Sequence, residues 1–185
     1  MEPLPELIED GDLVLRRWRP ADAEAQEAAV LANLEHLKPW MPWAAAEPQG
    51  PTARRGMLSR WEREWSEGGD VHLAVLAEGE VAGGGGLHWR RGPRALEIGY
   101  WIAAARTGRG LGTRVAALLT DAAFAIPRIE RVEVHHDRAN RASAAIPRKL
   151  GFTLYAETPD SIEAPAEEGV DCGWAIEREE WLRRG

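Results

Sequence analysis

The sequence predicts a mixed α/β fold (α+β), in which a sheet carries helices on both of its sides. Seven segments have the apolar patterns of strands, and four longer segments have helix-forming composition. Only two helices lie between consecutive strands in the second half of the chain, too few crossovers for a wholly parallel sheet. With 185 residues, 44% of them hydrophobic, the chain suits a single domain, 1–185, with a buried core.

Segments of alternating or continuous apolar residues predict the strands. Turn-forming residues separate them, as at Glu78-Gly79-Glu80. The predicted strands are 13–18, 71–76, 81–89, 96–102, 129–136, 152–156 and 170–176. Four successive glycines at 83–86 are poor strand residues, and they predict a bulge or the close approach of another backbone.

Composition and apolar spacing predict four helices and a short helical turn near the end of the chain. The helices are 21–37, 52–67, 110–124 and 140–150, and the turn lies in 177–184. Pro20 precedes the first helix, at a position where a backbone N–H would have no helical partner. Two prolines break 38–43, which we expect to be an ordered loop. The acidic segment 158–169 also contains two prolines and is expected to be a surface loop.

A glycine-rich turn between a predicted strand and a predicted helix is the clearest sign of a ligand. Apolar residues alternate along 96–102, glycines follow at 108, 110 and 112, and apolar residues then recur at helical spacing. Backbone N–H groups at a helix N-terminus, left accessible by glycines, bind phosphate oxygens. The turn therefore predicts a ligand that carries a pyrophosphate. A turn built only for tight strand–helix packing is the alternative at this point.

Two common phosphate loops do not match this turn. A P-loop requires a lysine followed by serine or threonine after its last glycine, whereas Gly112 is followed by Thr113 and Arg114. A dinucleotide-binding fingerprint requires the spacing G-x-G-x-x-G, whereas these glycines are spaced G-x-G-x-G and follow several strands. An NTPase and a Rossmann-type nucleotide site are therefore disfavoured.

The turn is similar to the R/Q-x-x-G-x-G/A turn of the GCN5-related N-acetyltransferases (GNAT), which grips the pyrophosphate of acetyl-CoA. Its residues in this chain are Thr107-Gly108-Arg109-Gly110-Leu111-Gly112. The later stretch 132–152 resembles the RimJ/RimL-like branch of that superfamily, with Asn140-x-x-Ser143 and then Lys149-Leu150-Gly151-Phe152. The segments 13–23 and 37–43 also resemble that branch, so the resemblance covers nearly the whole chain.

The resemblance implies a fold and a reaction. Members have a mixed, mostly antiparallel seven-stranded sheet that is flanked by helices and splayed at its central strands. They transfer an acetyl group from acetyl-CoA directly to a primary amine in a ternary complex, with no metal. The acceptor is either a protein N-terminus, as for the ribosomal-protein enzymes, or a small amine-bearing molecule. RimJ/RimL-like proteins often pair, which makes a homodimer a candidate assembly.

The resemblance also implies the cofactor contacts. Backbone groups at the end of the signature strand hold the pantetheine, and backbone N–H groups of the turn hold the pyrophosphate. Two arginines add charge near the phosphates, unless they are solvated surface residues. The implied contacts are Trp101, Ile102, Ala103, Arg106, Thr107, Gly108, Arg109, Gly110, Leu111, Gly112, Thr113, Asn140 and Ser143. Thr107 departs from the family, which usually has Arg or Gln there, since threonine offers one hydroxyl and no charge.

Glu97 is the leading candidate for the base, because it matches the glutamate base of histone-type members. Ser143 is the second catalytic candidate, near the thiol, on a helix where many members have a tyrosine that this chain lacks. Pro147 removes the helical hydrogen bond to the Ser143 carbonyl, so we expect this helix to kink or to begin late. Water and other side chains are alternative bases: His135, His136, Glu163, Glu167 and Glu168. His88 is interpreted as a packed or surface histidine.

Four tryptophans lie on the two early elements that cover the acceptor cleft in this superfamily. We expect Trp40 and Trp43 to bind the acceptor as an aromatic wall. For Trp61 and Trp65, one helical turn apart, packing of the helix against the sheet is the favoured alternative. The net charge of −7 suits a cationic amine or a basic protein N-terminus.

Composition disfavours several other classes of protein. The net charge of −7 opposes general binding to nucleic acid or to anionic membranes. The single cysteine, Cys172, excludes an intramolecular disulfide, fits a reducing cytoplasm and is assigned to packing. No apolar run approaches the ~20 residues that span a bilayer. Residues 1–11 lack the basic and apolar regions of a signal peptide, so we expect a cytoplasmic protein.

A CoA-binding regulator, or a degenerate family member without turnover, is the alternative function. Thr107, Pro147 and the missing late tyrosine motivate it, because each departs from the usual machinery. The two functions differ in one observable property, which is whether free thiol is released when acetyl-CoA and an amine are supplied together.

Overall fold

The computed structural model describes residues 6–184, which form one eight-stranded sheet and its flanking helices. The strands are β1 (Leu7–Asp10), β2 (Leu13–Arg17), β3 (Val71–Ala77), β4 (Glu80–His88), β5 (Ala95–Ile102), β6 (Arg131–Asp137), β7 (Thr153–Pro159) and β8 (Val170–Glu177). The helices are α1 (Ala23–Ala32), α2 (Leu34–Leu37), α3 (Pro51–Glu67), α4 (Leu111–Phe124), α5 (Arg141–Lys149) and α6 (Arg178–Leu182). Short 3₁₀ segments cover Pro20–Asp22, Pro42–Ala46 and Ala104–Arg106. Within this part of the chain, no helix is both long enough and apolar enough to cross a membrane.

The strands lie in the order β1-β2-β3-β4-β5-β6-β8-β7, and every neighbouring pair is antiparallel except β5 and β6. The predicted mixed, mostly antiparallel sheet is confirmed, but the predicted seven strands are wrong, since the described residues form eight. The additional strand, β1, is short, acidic and largely exposed, so no apolar alternation marked it. Residues 1–11 are expected to contain no signal peptide, and residues 1–5 of that segment lie outside the described residues.

The predicted helix at 21–37 is interrupted, because α1 ends at Ala32 and α2 begins at Leu34. Asn33 lies between them and uses both ends of its amide. Its Nδ2 donates to the carbonyl of Ala29 at 2.8 Å, and its Oδ1 accepts the backbone N–H of Ala104 at 2.8 Å. An asparagine that bonds backbone groups competes with helical hydrogen bonds. Its second partner is 71 residues away, so no local pattern could indicate the break.

Helices cover both faces of the sheet, and two neighbouring glycines of β4 mark the faces. A side chain at Gly85 would meet Leu119 of α4, at 3.2 Å. A side chain at Gly84 would meet the indole of Trp101, which packs with buried Val30 of α1 and Leu37 of α2. Successive residues of a strand point to opposite faces. Gly84 and Gly85 therefore admit large side chains from both layers. The predicted close approach of backbone lies at Gly83, where a Cβ would overlap the carbonyl oxygen of Trp101, and the register of β3 and β4 shifts next to it.

Leu119→Ala is expected to destabilise the fold by about 2–5 kcal/mol, because it empties a fully buried position under β4. Urea unfolding measures the loss. Leu31→Ala is the matched control, since Leu31 is 41% exposed on α1 and its loss should stay within about 0.5 kcal/mol. Equal losses at the two leucines would contradict the core described above.

The only parallel pair of the described sheet separates after three residues. Ala95, Leu96 and Glu97 of β5 lie opposite residues 131–133 of β6. Beyond Glu97, β5 pairs with β4 alone, and β6 continues along β8. The backbone edge of β5 that faces β6 is therefore open from Ile98 to Ile102. This splay is the position that the family resemblance implies for the cofactor.

Candidate functional site

The splay opens into a cleft of about 600 Å³, within the usual range for ligand pockets. Strands β3 to β6, helices α1 and α3, the segment 40–49, the start of α5 and the segment 160–167 contribute its lining. The cleft brings together six of the predicted site residues, which are Trp40, Trp43, Glu97, Trp101, Asn140 and Ser143. The predicted cofactor residues 102–113 lie beyond its lining, where the chain leaves β5 and enters α4.

The glycine turn has the backbone of an anion site. Gly108 and Gly110 have positive φ angles of 73° and 80°, which favour glycine, and Gly110 precedes the first residue of α4. No side chain caps α4, so the N–H groups of its first turn are available to phosphate oxygens. Gly112 has a different role, because a side chain there would lie 2.8 Å from Ile146 of α5. The turn thus combines an anion site with close helix packing.

Three of the polar side chains around this turn differ in the partners that they have. Arg106 pairs with Glu78 at 3.0 Å and Glu80 at 3.3 Å, and the hydrogen bond to Glu78 helps to raise the pKa of its guanidinium. The Thr107 hydroxyl donates to the carbonyl of Ala104 at 2.8 Å. Arg109 is exposed and forms no ion pair within residues 6–184. Arg109 is therefore the freer of the two predicted arginines.

The end of β5 presents backbone to the cleft while its side chains pack inward. The Ala103 N–H donates to the carbonyl of Ala82 at 2.8 Å. The Trp101 indole covers Gly84, and the Ile102 side chain lies 3.6 Å from the position of a Cβ on Gly112. These contacts hold the open edge of β5 in place beside the splay.

Helix α5 begins directly after Asn140, whose Oδ1 accepts the Ser143 N–H at 3.1 Å as an N-cap. Of the two expected effects of Pro147, a kink or a late start, the late start is wrong, since Arg141–Lys149 is one helical segment that includes Pro147. Proline has no N–H, so the Ser143 carbonyl lacks its helical donor. Ser143 also lies beside the Tyr100 hydroxyl, which is buried and has no hydrogen-bond partner among the described residues. Burial raises the pKa of Tyr100 and keeps the hydroxyl protonated.

Glu97 is buried in the cleft floor but is not a free carboxylate. Arg91 bonds it through two nitrogens, at 2.7 and 2.9 Å, and Arg90 lies 3.4 Å from its second oxygen. Arg91 also lies 3.7 Å from Glu133 on β6, so one guanidinium joins the two central strands where they separate. Both oxygens of Glu97 therefore already contact arginine nitrogens.

His135 is a member of a carboxylate network. Its Nε2 lies 2.9 Å from Glu133 and its Nδ1 lies 2.8 Å from Asp171. Burial alone would raise the pKa of Glu133, but hydrogen bonds from His135, Tyr155 and Arg131 outweigh it and lower that pKa. Both ring nitrogens of His135 are therefore occupied.

His136 is held as a neutral ring on the neighbouring position of β6. Its Nδ1 donates to the Asp137 carbonyl at 2.8 Å, and its Nε2 accepts the indole N–H of Trp174 at 2.9 Å. Burial lowers the pKa of His136. Neither strand histidine of β6 offers a free nitrogen to the cleft.

The four tryptophans do not divide into the two predicted pairs, because Trp61, for which packing is the favoured alternative, lies with Trp40 and Trp43. Trp40, Trp43 and Trp61 line the cleft, and Trp43 is 39% exposed. Trp61 stacks on His72, with ring centroids 4.1 Å apart. Trp65 packs against the core and under the guanidinium of Arg17, at 4.9 Å. The aromatic wall therefore comprises three of the four tryptophans.

Two of the three candidate glutamates of the acidic loop lie in the cleft, and the third does not. Glu163 and Glu167 line the cleft, and Glu167 accepts the backbone N–H groups of Glu163 and Ala164 at 2.6 and 2.8 Å. Glu168 instead pairs with Arg138 at 2.5 Å. The Ala166 N–H donates to the Pro39 carbonyl at 3.0 Å, so this loop is tied to the segment that carries the tryptophans.

Two side-chain pairs of the cleft could not be predicted from the spacing of their residues in the sequence. The Arg54 guanidinium of α3 is 2.5 Å from the Glu47 carboxylate, and both side chains are almost wholly buried. His88 at the end of β4 lies 2.8 Å from Asp70, just before β3. Both pairs depend on how the elements fold together.

Comparisons with known proteins agree with the motifs. The family model of the acetyltransferase (GNAT) domain matches residues 12–153. A Bacillus subtilis (strain 168) protein, named as the ribosomal N-acetyltransferase YdaF, is 25% identical over 170 residues, which are 91% of this chain and 93% of that protein. The structure of Mycobacterium smegmatis RimJ in complex with a CoA-disulfide is 27% identical with a TM-score of 0.82, over 91% of this chain and 83% of that chain. A Salmonella typhimurium acetyl transferase, described as modifying the N-terminal serine of ribosomal protein L7/L12, shares the fold with a TM-score of 0.79 at 19% identity, over 93% and 99% of the chains.

The family match includes both the glycine turn and the motif of α5, and the fold agrees with it along the splay of β5 and β6. Acetyl-CoA is the acetyl donor of this family. The chain therefore belongs to the acetyltransferase (GNAT) family, and it is an N-acetyltransferase of the RimJ/RimL-like branch.

Proposed function

We propose that this protein is a cytoplasmic, single-domain enzyme, 1–185, that transfers acetyl from acetyl-CoA to the N-terminal amine of a protein. The observation that carries the proposal is the open edge of β5, which runs from the cleft to an uncapped helix N-terminus at α4. An extended pantetheine fits along such an edge as an added strand, and the pyrophosphate fits at the helix end. A ribosomal protein is the proposed acceptor, because the Bacillus subtilis relative is named for that class and the Salmonella typhimurium protein is described as modifying the N-terminal serine of L7/L12.

The cofactor would contact the residues that the motifs predict. Pantetheine would pair with backbone groups of Trp101, Ile102 and Ala103, although the Ala103 N–H already donates to Ala82 and the Ala103 carbonyl already accepts the N–H of Arg106. The pyrophosphate would bind N–H groups of 108–113, with charge from Arg109. Thr107 contributes by bracing the 3₁₀ segment before the turn. The Asn140 side-chain N–H₂ remains available, since its oxygen caps α5.

The state of the single cysteine supports direct transfer in a ternary complex. Burial, with the nearby Glu157 carboxylate, raises the pKa of Cys172 to about 11. Only a thiolate is a good nucleophile, so an acetyl-cysteine intermediate is disfavoured at neutral pH. The amine would attack the thioester itself, with Ser143 and the protonated Tyr100 hydroxyl beside the leaving thiol. Glu97 is the predicted base, and its two arginines are the obstacle to that role.

The cleft favours a cationic acceptor over a neutral one. Asp160, Glu163 and Glu167 line it from the acidic loop, and Trp40 and Trp43 add aromatic faces. Carboxylates concentrate an ammonium group at the entrance, and aromatic faces attract cations as well. A small polyamine is the second candidate acceptor, supported by the same carboxylates.

Release of free thiol tests the activity. We expect the protein to release CoA from acetyl-CoA when a peptide with an N-terminal serine is supplied, because its amine can enter the cleft. The peptide contains no lysine, so its N-terminus is its only primary amine. The matched control is the same peptide with its N-terminus already acetylated, with which no CoA should be released. If acetyl-CoA binds but neither the peptide nor a polyamine causes release of thiol, the result would instead support the alternative function, a CoA-binding regulator without turnover.

Arg109→Gln is expected to raise the KM for acetyl-CoA about tenfold, equivalent to about 1.4 kcal/mol, since it removes a charge-assisted contact to phosphate. Steady-state kinetics against acetyl-CoA concentration measure the change. Arg106→Gln is the matched control and should have a smaller effect, because Arg106 is already paired with Glu78 and Glu80. A larger rise of the KM with Arg106→Gln than with Arg109→Gln would contradict the proposal that Arg109 is the arginine that contacts the phosphates.

A further inference from the structure

His88 is the cleft histidine whose orientation is fixed while one ring nitrogen stays free. Its Nδ1 lies 2.8 Å from Oδ2 of Asp70, and Oδ1 of Asp70 accepts the backbone N–H of Trp89 at 2.9 Å. Both oxygens of the carboxylate are thus engaged, which holds it in one position. A hydrogen bond from Nδ1–H to a carboxylate places the lone pair on Nε2. Nε2 has no hydrogen-bond partner within residues 6–184.

The free nitrogen lies over the floor of the splay. A Cβ on Gly86 would be 2.9 Å from Nε2, and a Cβ on Gly99 would be 3.4 Å from it. Gly99 lies within the open edge of β5, between Glu97 and Trp101. Nε2 is therefore beside the strand along which the thioester arm would lie, and two glycines leave the space that it occupies.

No other histidine near the cleft has this combination. His135 and His136 have both ring nitrogens occupied, as described above. Burial, with a contribution from His88, lowers the pKa of His72 to about 4, and its ring is stacked on Trp61. His36, the fifth histidine of the sequence, is exposed on α2. Glu97 is held by two arginines. Among Glu97 and the cleft histidines, His88 is therefore the group that combines a fixed orientation with a free acceptor atom.

We propose that His88, positioned by Asp70, takes the proton from the acceptor amine; the inference deepens the proposed transfer and rests on it. The ammonium group loses one proton to Nε2, and the amine nitrogen then forms its bond to the acetyl carbon. The carbon–sulfur bond breaks as the tetrahedral intermediate collapses. The second proton of the nitrogen goes to the leaving sulfur, which departs as CoA thiol. His88 releases its proton to water, so atoms and charge balance.

The surroundings suit a ring that becomes charged during each turnover. Burial would raise the pKa of Asp70, but hydrogen bonds from Trp89 and His88 outweigh it and lower that pKa, so the carboxylate stays ionised. An ionised carboxylate on Nδ1 stabilises the imidazolium, as in Ser-His-Asp sites. The other titratable or charged groups near His88 are His72 of β3, Glu97 of β5 and Arg90, with Glu64 of α3 beyond His72.

Kinetics with acetyl-CoA and the serine peptide test the proposal. His88→Gln is expected to lower kcat by about 10²–10⁴-fold, the usual contribution of a general base. The KM for acetyl-CoA should stay within about twofold, since His88 lies on the acceptor side. The acidic limb of the pH profile of kcat/KM should disappear with His88→Gln and persist with Glu97→Gln. Asp70→Asn should lower kcat at unchanged KM, because it permits the wrong tautomer.

The controls separate this inference from the proposed function. His36→Gln removes an exposed histidine outside the cleft and should leave kcat and the pH profile unchanged. If the unmutated protein turns over and the kcat of His88→Gln is within about threefold of its kcat, the role of His88 is overturned while the proposed function stands. Asp70, His72 and His88 also offer atoms within 4.8 Å of one another, a set that metals bind. Activity lost on dialysis against EDTA and restored by Zn²⁺ would likewise overturn the proton-transfer role.

Discussion

Arg54→Ala is expected to destabilise the protein by about 3–5 kcal/mol, among the largest effects of any single substitution in this chain. The Glu47 side chain is fully buried, and Arg54 is the cation that lies 2.5 Å from it. Removal of the guanidinium leaves a buried carboxylate without a counter-charge. Denaturant unfolding, monitored by circular dichroism, measures the loss.

A double substitution distinguishes the buried charge from simple packing. Arg54→Met combined with Glu47→Leu removes both charges and keeps apolar volume, and such replacements are often neutral or stabilising. We therefore expect the double variant to be more stable than either single variant. A double variant that is as unstable as the sum of its parts would show that the pair contributes through shape alone.

Gly83→Ala is expected to impair both stability and cofactor binding. A Cβ at this position would overlap the backbone carbonyl oxygen of Trp101, so β4 and the end of β5 must separate. Overpacking of this kind costs about 1–3 kcal/mol, and more when backbone must move. The same displacement disturbs the edge proposed for pantetheine, so we expect the KM for acetyl-CoA to rise by about tenfold or more.

Gly56→Ala is the matched control for that substitution. Gly56 is inside α3, and a Cβ there meets nothing within 4 Å. Replacement of a helix-interior glycine by alanine should stabilise the protein by about 0.5–1 kcal/mol and leave the KM unchanged. Opposite signs at the two glycines would confirm that backbone overlap, and not loss of glycine, is responsible at Gly83.

The parts of the site that the sequence predicts are contiguous. The glycine turn and the motif of α5 are each read within about a dozen residues, and their backbone geometry follows from glycine, asparagine and helix ends. Gly108 and Gly110 adopt the positive φ angles that such a turn needs. Asn140 caps its helix, as its residue type favours.

The remaining parts depend on register and on contacts between distant elements. Asp70 meets His88 only because β3 and β4 pair in one register, and a shift of one residue would place His88 on the other face. Glu97 occupies its expected strand, but its two arginines come from the turn that precedes β5. The break at Asn33 and the short acidic strand β1 have no periodic signal either.

The amide of Asn33 has a consequence for how two ligands influence each other. It joins α1, which borders the proposed acceptor side, to Ala104, which begins the 3₁₀ segment before the pyrophosphate turn. One side chain thus connects a helix beside the proposed acceptor site to the segment that leads into the proposed cofactor site. Thermodynamic linkage then requires reciprocity: any factor by which bound cofactor changes acceptor affinity is the factor by which bound acceptor changes cofactor affinity.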